Sequence, residues 1–321
     1  TGLHKLDEPL YLSGRPELIT PQVEKFNARS YRDLPIRRAL RYFRYFKSNI
    51  EQEIPLISDT EFPALDAEGI FATEEEYQAE ADKILADFNT FLNDQLVLST
   101  FTVRTKYALV YYIILPNEHV MEVARMNYLG RTLSESIDFT VLESNNKPAP
   151  PLIFDFNVTS RLFAGIVASH SVPHKVILPK HCMRVFGTSF GVDLSSIDRN
   201  KVRIDVSRFP FTQERFQKLI SYGNAFALTP ADDNKVCIHT ESGETVVEMA
   251  NLESTLLQIM DERENKIRDH EKELFTNFYS KAVQFIPKGQ NPPEGFTILG
   301  EKVDDPQTLV VGRTIIPTNF K

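Results

Sequence analysis

The chain has 321 residues, of which 42% are hydrophobic and 25% charged, and these values exclude fibrous, collagen-like and wholly disordered proteins. The formal net charge of −8 argues against a protein whose whole surface binds nucleic acid or anionic lipid. Two cysteines cannot form a disulfide framework, and no signal peptide or membrane-length apolar run is present. The sequence therefore predicts no membrane contact and an intracellular location, in the cytoplasm or in an assembled particle.

The sequence pattern changes at Pro35, from a segment without a period to one with helical spacing. Residues 1–34 are rich in proline and glycine without a sustained period, which predicts an extended N-terminal arm. Pro35 suits the first position of a helix, and apolar residues then recur at helical spacing as far as Ile50. A helix over 35–50 would carry a basic stripe on one side and an aromatic face on another. The stripe consists of Arg37, Arg41 and Arg44, and the aromatic face contains Phe43 and Phe46.

An acidic stretch follows this basic segment. Twelve acidic residues and a single lysine, Lys83, lie between Glu51 and Phe88. Pro55 and Pro63 favour a loop in the first half, and the apolar period after Thr73 predicts an amphipathic helix that ends near residue 93. Residues 35–95 are therefore predicted to form a charge-segregated helical region, first basic and then acidic.

Residues 96–250 are predicted to form a strand-rich core. Residues 107–115 are apolar on both faces, which indicates a central strand, and residues 152–158 alternate in the manner of a strand with one buried face. Short helices are expected over 118–129, where Asn117 would be the N-cap, and over 212–222. A long helix is predicted over 251–286 and a tail with strands over 287–321. The fold class expected is α+β, with a mixed or antiparallel sheet core, amphipathic helices, an extended N-terminal arm and one long C-terminal helix.

One motif suggests nucleophilic catalysis. Residues 187–191 (GTSFG) fit the G-x-S-x-G nucleophile elbow, in which a serine stands between a strand and a helix. Ser189 would be the nucleophile, with an acid such as Asp205 and the base His239 as partners. Residues 192–200 have no apolar helical stripe, so a glycine-flanked turn is the favoured interpretation and serine hydrolysis the alternative.

A second set of residues suggests a metal. His181 and Cys182 are adjacent, and Cys237 and His239 would point to the same face of one strand. Together they offer the ligand types that Zn²⁺ prefers, but their spacing matches no known ligand set. The favoured interpretation is that these residues are structural. Because the sequence also lacks a P-loop, a dinucleotide fingerprint, an H-E-x-x-H motif and an EF-hand loop, it predicts no cofactor.

The basic segment suggests a partner. Arginines interleaved with aromatic residues can hold phosphates and stack on bases, but the acidic stretch just downstream favours pairing with protein, within one chain or between chains. We therefore expect a non-enzymatic structural or assembly subunit of a larger complex, for example of a viral particle. Its partners would be other protein subunits, and the interaction residues those of the basic segment. The alternatives are the hydrolase that uses Ser189 and a nucleic-acid-associated factor.

Overall fold

A computed structural model of the chain describes residues 3–5, 11–13, 16–45, 54–59, 61–172, 175–232 and 234–315. Two compact units divide the chain. The first consists of residues 1–90, 99–165 and 276–321, and the second of residues 91–98 and 166–275. In the described residues, no helix is both long enough and apolar enough to cross a lipid bilayer.

Six α-helices and twenty strands make up the described residues. In chain order, the helices are α1 (Thr20–Asn27), α2 (Glu74–Thr90), α3 (Thr132–Ser136), α4 (Arg161–Ser169), α5 (Gln213–Ser221) and α6 (Leu252–Ala282). The strands are β1 (Leu3–Lys5), β2 (Tyr11–Ser13), β3 (Ile36–Tyr45), β4 (Glu61–Phe71), β5 (Phe101–Arg104), β6 (Ala108–Ile114), β7 (Val120–Gly130), β8 (Val141–Leu142), β9 (Pro148–Ala149), β10 (Leu152–Thr159), β11 (Ser171–Val172), β12 (Lys175–Val176), β13 (Gly187–Ser189), β14 (Ile204–Val206), β15 (Phe226–Pro230), β16 (Lys235–Thr240), β17 (Gly243–Glu248), β18 (Val283–Pro287), β19 (Thr297–Lys302) and β20 (Asp305–Gly312).

The first unit is built on a nine-stranded sheet. Its strand order is β18-β20-β19-β5-β6-β7-β10-β4-β3, and the pairings between these strands are antiparallel. Because side chains alternate along a strand, each strand contributes to both faces of the sheet. The strands at the centre, β6 and β10, are largely buried, as their apolar sequences predict.

Helix α2 packs on one face of this sheet through aromatic rings. Tyr77 lies 5.7 Å from Phe154, and Phe88 lies 4.9 Å from Phe156, between ring centroids. Gly69 leaves the space that these rings need, because a Cβ at this position would lie 2.4 Å from the ring of Phe71 and 2.7 Å from that of Phe154. We call this side of the sheet the aromatic face.

The predicted basic helix over 35–50 is wrong. Residues Ile36–Tyr45 form strand β3, which pairs with β4 along its whole length from Ile36↔Ile70 to Tyr45↔Glu61. The apolar residues fit a helical period, but the partner strand lies in the acidic stretch, where the prolines favour a loop. A ladder between segments distant in sequence overrides the local period, because it satisfies the same backbone groups and buries apolar surface as well.

Two further predicted elements need correction. Residues 118–129 form β7 rather than a helix, and Asn117 is a turn residue whose side chain accepts a hydrogen bond from the backbone of His119 at 3.3 Å. An asparagine signals a hairpin turn as well as a helix cap, which explains the error. The N-terminal segment is not wholly extended either, since α1 lies within it.

The second unit contains a five-stranded mixed sheet. Its order is β14-β13-β15-β16-β17, with β13 parallel to β14 and to β15, while β16 and β17 continue the sheet antiparallel. Its core includes Phe226, Leu228 and Ile238, which are fully buried, and the N-terminal part of α6 packs there through Leu252 and Leu256.

Candidate functional site

The face of the nine-stranded sheet opposite the aromatic face carries a cluster of polar side chains. Its members come from β3, β4, β7 and β10, and they lie next to one another because the register pairs Asp66 with Asn157, Glu68 with Asp155, and Asp155 with Asn127. We call this cluster the polar site. It consists of Tyr42, Arg44, Asp66, Glu68, Asn127, Asp155 and Asn157, with Glu17 beside it.

Asp66 is the centre of the polar site and is fully buried, with 0% of its surface exposed. The hydroxyl of Tyr42 donates to its Oδ2 at 2.6 Å, and the amide of Asn157 donates to its Oδ1. The Nη2 of Arg44 lies 3.4 Å from the same carboxylate and 3.2 Å from that of Glu17. Arg44 is thus held between two carboxylates, which places its positive charge inside the site.

Asp155 is equally buried but less completely bonded. The amide of Asn127 donates to its Oδ2 at 3.0 Å, while its Oδ1 has no hydrogen-bond partner among the described residues. Burial raises the pKa of Asp155 well above its usual range, and the nearby carboxylate of Asp66 raises it further. Burial also raises the pKa of Glu68, to about 7. Both shifts have the same cause, because a low-dielectric environment disfavours the ionised form.

The charges of the polar site are unbalanced. Glu17, Asp66, Glu68 and Asp155 provide carboxyl groups, whereas the guanidinium of Arg44 contacts two of them, those of Glu17 and Asp66. Glu17, Asp66 and Asp155 each place a carboxylate oxygen within 4.8 Å of the other two, a spacing that a divalent cation could bridge. The arrangement suits a ligand that brings a positive charge towards the carboxylates.

The predicted interaction residues are separated by the strand. Arg37 and Arg41 point to one side of β3 and Arg44 to the other, because the period of a strand is two residues. The Nη2 of Arg37 lies 2.8 Å from the carboxylate of Glu80 on α2, and Arg41 is exposed. Phe43 is 65% exposed, so the ring of this predicted interaction residue is not buried in this chain. Phe46 lies outside the described residues.

Ser189 is not placed as a nucleophile. It ends β13, is fully buried, and its hydroxyl donates to the carbonyl of Val192 at 3.4 Å. Turns rather than a helix follow it in the described residues 190–200, so the strand–turn–helix geometry of an elbow is missing. The glycines of the motif have structural causes, since a Cβ at Gly187 would lie 2.3 Å from the ring of Phe226 and Gly191 has a φ of +82°.

The predicted metal residues form only half of a cluster. Cys237 and His239 lie on β16, and one ligand atom of each lies within 4.8 Å of the other and of Glu244 on β17. His181 and Cys182 belong to no such group among the residues that the structure describes. His181 is exposed, and burial raises the pKa of the Cys182 thiol.

The polar site itself is missed by sequence reasoning. Asp155 and Asn157 are visible as polar positions on a strand that is otherwise apolar, and this is the available signal. Asp66 and Glu68 look like solvated acids of a loop. Their meeting with Asp155 depends on pairing between strands about 90 residues apart, which no local pattern in the sequence reveals.

Solved structures with a similar fold cover nearly the whole chain. The fold matches that of prolyl-tRNA synthetase from Cryptosporidium parvum complexed with halofuginone and AMPPNP, with a TM-score of 0.80 and 13% identity, over 98% of this chain and 80% of that one. It also matches Giardia lamblia prolyl-tRNA synthetase in complex with prolyl-adenylate, with a TM-score of 0.80 and 14% identity, over 98% of this chain and 81% of that one. No family model matches the sequence.

Curated relatives lead to the same class of protein. A proline–tRNA ligase of Saccharolobus islandicus is 23% identical over 188 residues, which are 56% of this chain and 39% of the relative. A proline–tRNA ligase of Borreliella burgdorferi is 26% identical over 189 residues, which are 56% of this chain and 38% of the relative. The matches therefore span about two fifths of the length of these relatives.

These findings overturn two predictions. The fold is that of prolyl-tRNA synthetases, with a large antiparallel sheet and helices, and it replaces the fold class drawn from an arm, a sheet core and a long helix. The prediction of a structural or assembly subunit, with a virion as an example, is also wrong, because sequence and structure both resemble an enzyme family. The cause of the error is that the absence of short motifs does not exclude similarity to an enzyme family.

Proposed function

We propose that this chain is a prolyl-tRNA synthetase-like protein whose polar site binds a small ligand of the aminoacyl-adenylate type. The observation that carries the proposal is the polar site itself, a set of buried ionisable side chains on one face of the sheet. Burying charge costs folding free energy, and perturbed carboxyl groups gathered on two neighbouring strands are typical of a functional site. The solved structures with this fold include complexes with prolyl-adenylate and with L-proline and AMP.

The chemistry of the polar site fits two parts of such a ligand. The carboxyl groups of Asp66 and Asp155 suit the positively charged amino group of an amino acid, because a cation beside them favours their ionised form. Arg44, with five N–H donors, suits a carboxylate or phosphoryl oxygen, and its contacts with Glu17 and Asp66 orient it. Asn127 and Asn157 hold the acids in position.

Binding and exchange measurements test this proposal. The purified chain is titrated calorimetrically with L-proline, with AMPPNP and with a non-hydrolysable prolyl-adenylate analogue, with and without Mg²⁺. We expect the analogue to bind and Asp66→Asn and Asp155→Asn to weaken it at least tenfold. The exposed control Asp304→Asn, whose side chain is 77% exposed, should bind as the wild type does.

Proline-dependent exchange of pyrophosphate into ATP then separates catalysis from binding. Exchange that is lost in both polar-site variants would extend the proposal to amino-acid activation. Binding of the analogue without exchange would restrict it to a ligand-binding synthetase-like protein. If the wild-type chain binds none of the three ligands, the proposal is wrong.

A second candidate function is RNA binding by the second unit. Around α5, Phe209 is 65% exposed and Tyr222 is 72% exposed, and each has a cation over its ring. The guanidinium of Arg215 lies 4.9 Å from the centre of Phe209, and the ammonium of Lys218 lies 5.9 Å from that of Tyr222. Exposed rings next to cations suit stacking with unpaired bases. The relatives are named as ligases of tRNA.

Fluorescence anisotropy with labelled tRNA tests this second candidate at several salt concentrations. Phe209→Ala combined with Tyr222→Ala removes two stacking surfaces, each worth about 1–3 kcal/mol per base, so we expect at least a tenfold loss of affinity. The exposed Phe163→Ala is the control, since Phe163 belongs to the first unit and is 54% exposed. Equal affinity of the double variant and the wild type would reject this surface.

A further inference from the structure

A cluster of three ligand-type side chains lies on the sheet of the second unit, and none of its three residues belongs to the surfaces proposed above. Cys237 and His239 are two residues apart on β16, and Glu244 lies opposite His239 on β17. One ligand atom from each residue lies within 4.8 Å of the other two. A thiol, an imidazole and a carboxylate are together the ligand set that favours Zn²⁺ over Mg²⁺ or Ca²⁺.

The imidazole of His239 is held in one orientation. Phe211 stacks against it with 4.3 Å between ring centroids, and the hydroxyl of Thr229 lies 2.9 Å from its Nε2. Its Nδ1 points at the carboxylate of Glu244, 3.0 Å away. Zinc-binding histidines have this arrangement, in which one ring nitrogen faces the metal and the other is fixed by a hydrogen bond.

The arrangement of hydrogen-bond donors and acceptors in this cluster is compatible with a bound cation. Thr229 has one hydroxyl proton and contacts both His239 and the sulfur of Cys237. When that proton is donated to the sulfur, Nε2 must carry a proton and donate to the Thr229 oxygen. Nδ1 then directs a lone pair at the oxygen of Glu244, and two acceptors at 3.0 Å require a proton or a metal ion between them.

The exposure of the three groups suits a metal that exchanges with solvent. The side chain of His239 is 8% exposed and that of Glu244 is 65% exposed, so the cluster opens from the sheet towards water. A tetrahedral ion bound by three protein atoms keeps its fourth position for a water molecule. Binding would release the thiol proton of Cys237 to solvent, and no redox step is needed.

We propose that Cys237, His239 and Glu244 form a zinc site with Thr229 as the group that orients His239. This proposal does not depend on the synthetase-like function. It retains two of the residues that the sequence suggests as ligands and replaces His181 and Cys182 with Glu244.

Cobalt titration of the full chain tests the site, because Co²⁺ bound to a thiolate absorbs in the near ultraviolet. We expect one equivalent of Co²⁺ to produce this absorption and Zn²⁺ to displace it. Cys237→Ser should abolish the absorption, and Thr229→Val should weaken binding by about 10–100-fold, as expected for loss of an orienting partner. Cys182→Ser, which changes the other cysteine of the chain, is the matched control and should bind as the wild type does.

Glu244→Gln keeps the test decisive if Cys237→Ser does not fold, since this exposed side chain can be changed without disturbing the core. It should weaken cobalt binding while circular dichroism stays unchanged. The proposal is overturned if the wild type gives no thiolate absorption with one equivalent of Co²⁺, because the contact is then a histidine–carboxylate hydrogen bond only. Absorption that is lost in Cys182→Ser and kept in Cys237→Ser would also overturn it.

Discussion

The two faces of the nine-stranded sheet are made by alternate residues of the same strands, but they affect the stability of the fold in opposite ways. On β10, Phe154 and Phe156 pack among the rings of the aromatic face, while Asp155 and Asn157 belong to the polar site. Apolar burial on the first face stabilises the fold, and burial of ionisable groups on the second opposes it. Neighbouring residues of one strand thus alternate between a face whose burial stabilises the fold and a face whose buried ionisable groups oppose folding.

The largest expected effect is on the aromatic face. Phe154 is 1% exposed and stacks on Phe71 with 5.3 Å between ring centroids, so Phe154→Ala should lower the free energy of unfolding by about 3–5 kcal/mol. Chemical denaturation measures this loss. Phe163→Ala, at an exposed position, should change it by less than about 0.5 kcal/mol. Equal losses in both variants would contradict the role given to the aromatic face.

The second-largest effect concerns the polar site, where a substitution is expected to raise the free energy of unfolding instead of lowering it. Burial raises the pKa of Glu68 from 4.5 to about 7, so the folded protein binds more protons than the unfolded chain between these values. The free energy of unfolding therefore falls as pH rises through this window, and the loss is complete above it. Glu68→Gln removes the ionisation and should make the protein more stable than the wild type at pH 8 by on the order of 2 kcal/mol.

Urea denaturation at pH 4 and pH 8 checks this reversal. The two proteins should differ little at pH 4, where Glu68 is protonated in both states. Glu294→Gln, at an exposed position, should follow the wild type at both values. If Glu68→Gln is less stable at pH 8, the carboxylate is stabilising and the contrast between the two faces fails.

The smallest effect is expected at Phe43, on the side of β3 where Arg37 meets α2. Its ring is 65% exposed, so Phe43→Ala should change the free energy of unfolding by less than about 0.5 kcal/mol. Truncation of a buried phenylalanine would cost about 3–5 kcal/mol, but the exposure of the Phe43 ring removes that condition. A loss above about 2 kcal/mol in denaturation would show that the ring is covered in solution.

Local sequence patterns reveal part of this fold. Helix α2 and strands β6 and β10 lie where the sequence predicts them, because α2 and β10 have a strong period and β6 is a continuous apolar run. Strand β3 is missed because its residues fit a helical period and its partner β4 lies beyond an intervening segment. Pairing over such a distance is decided by the free energy of the whole sheet, which a local window does not contain.

The candidate sites differ in the same way. Cys237 and His239 can be paired from their spacing because they lie on one strand, and Glu244 follows after a short turn. The polar site joins β3, β4, β7 and β10, so its members are recognised only once the register between these strands is known. A buried acid such as Asp66 looks like a solvated one until its partners are in place.

Strand β3 ends the order of the nine-stranded sheet, so one of its edges pairs with no other strand of that sheet in the described residues. The unpaired backbone N–H and C=O groups of an edge strand can pair with a strand of another chain, and positive charge on the edge strand disfavours this pairing. Arg37, Arg38 and Arg41 lie along this strand. Arg37 and Arg41, which the sequence suggests as interaction residues, thus lie on an edge strand, where positive charge discourages edge-to-edge pairing.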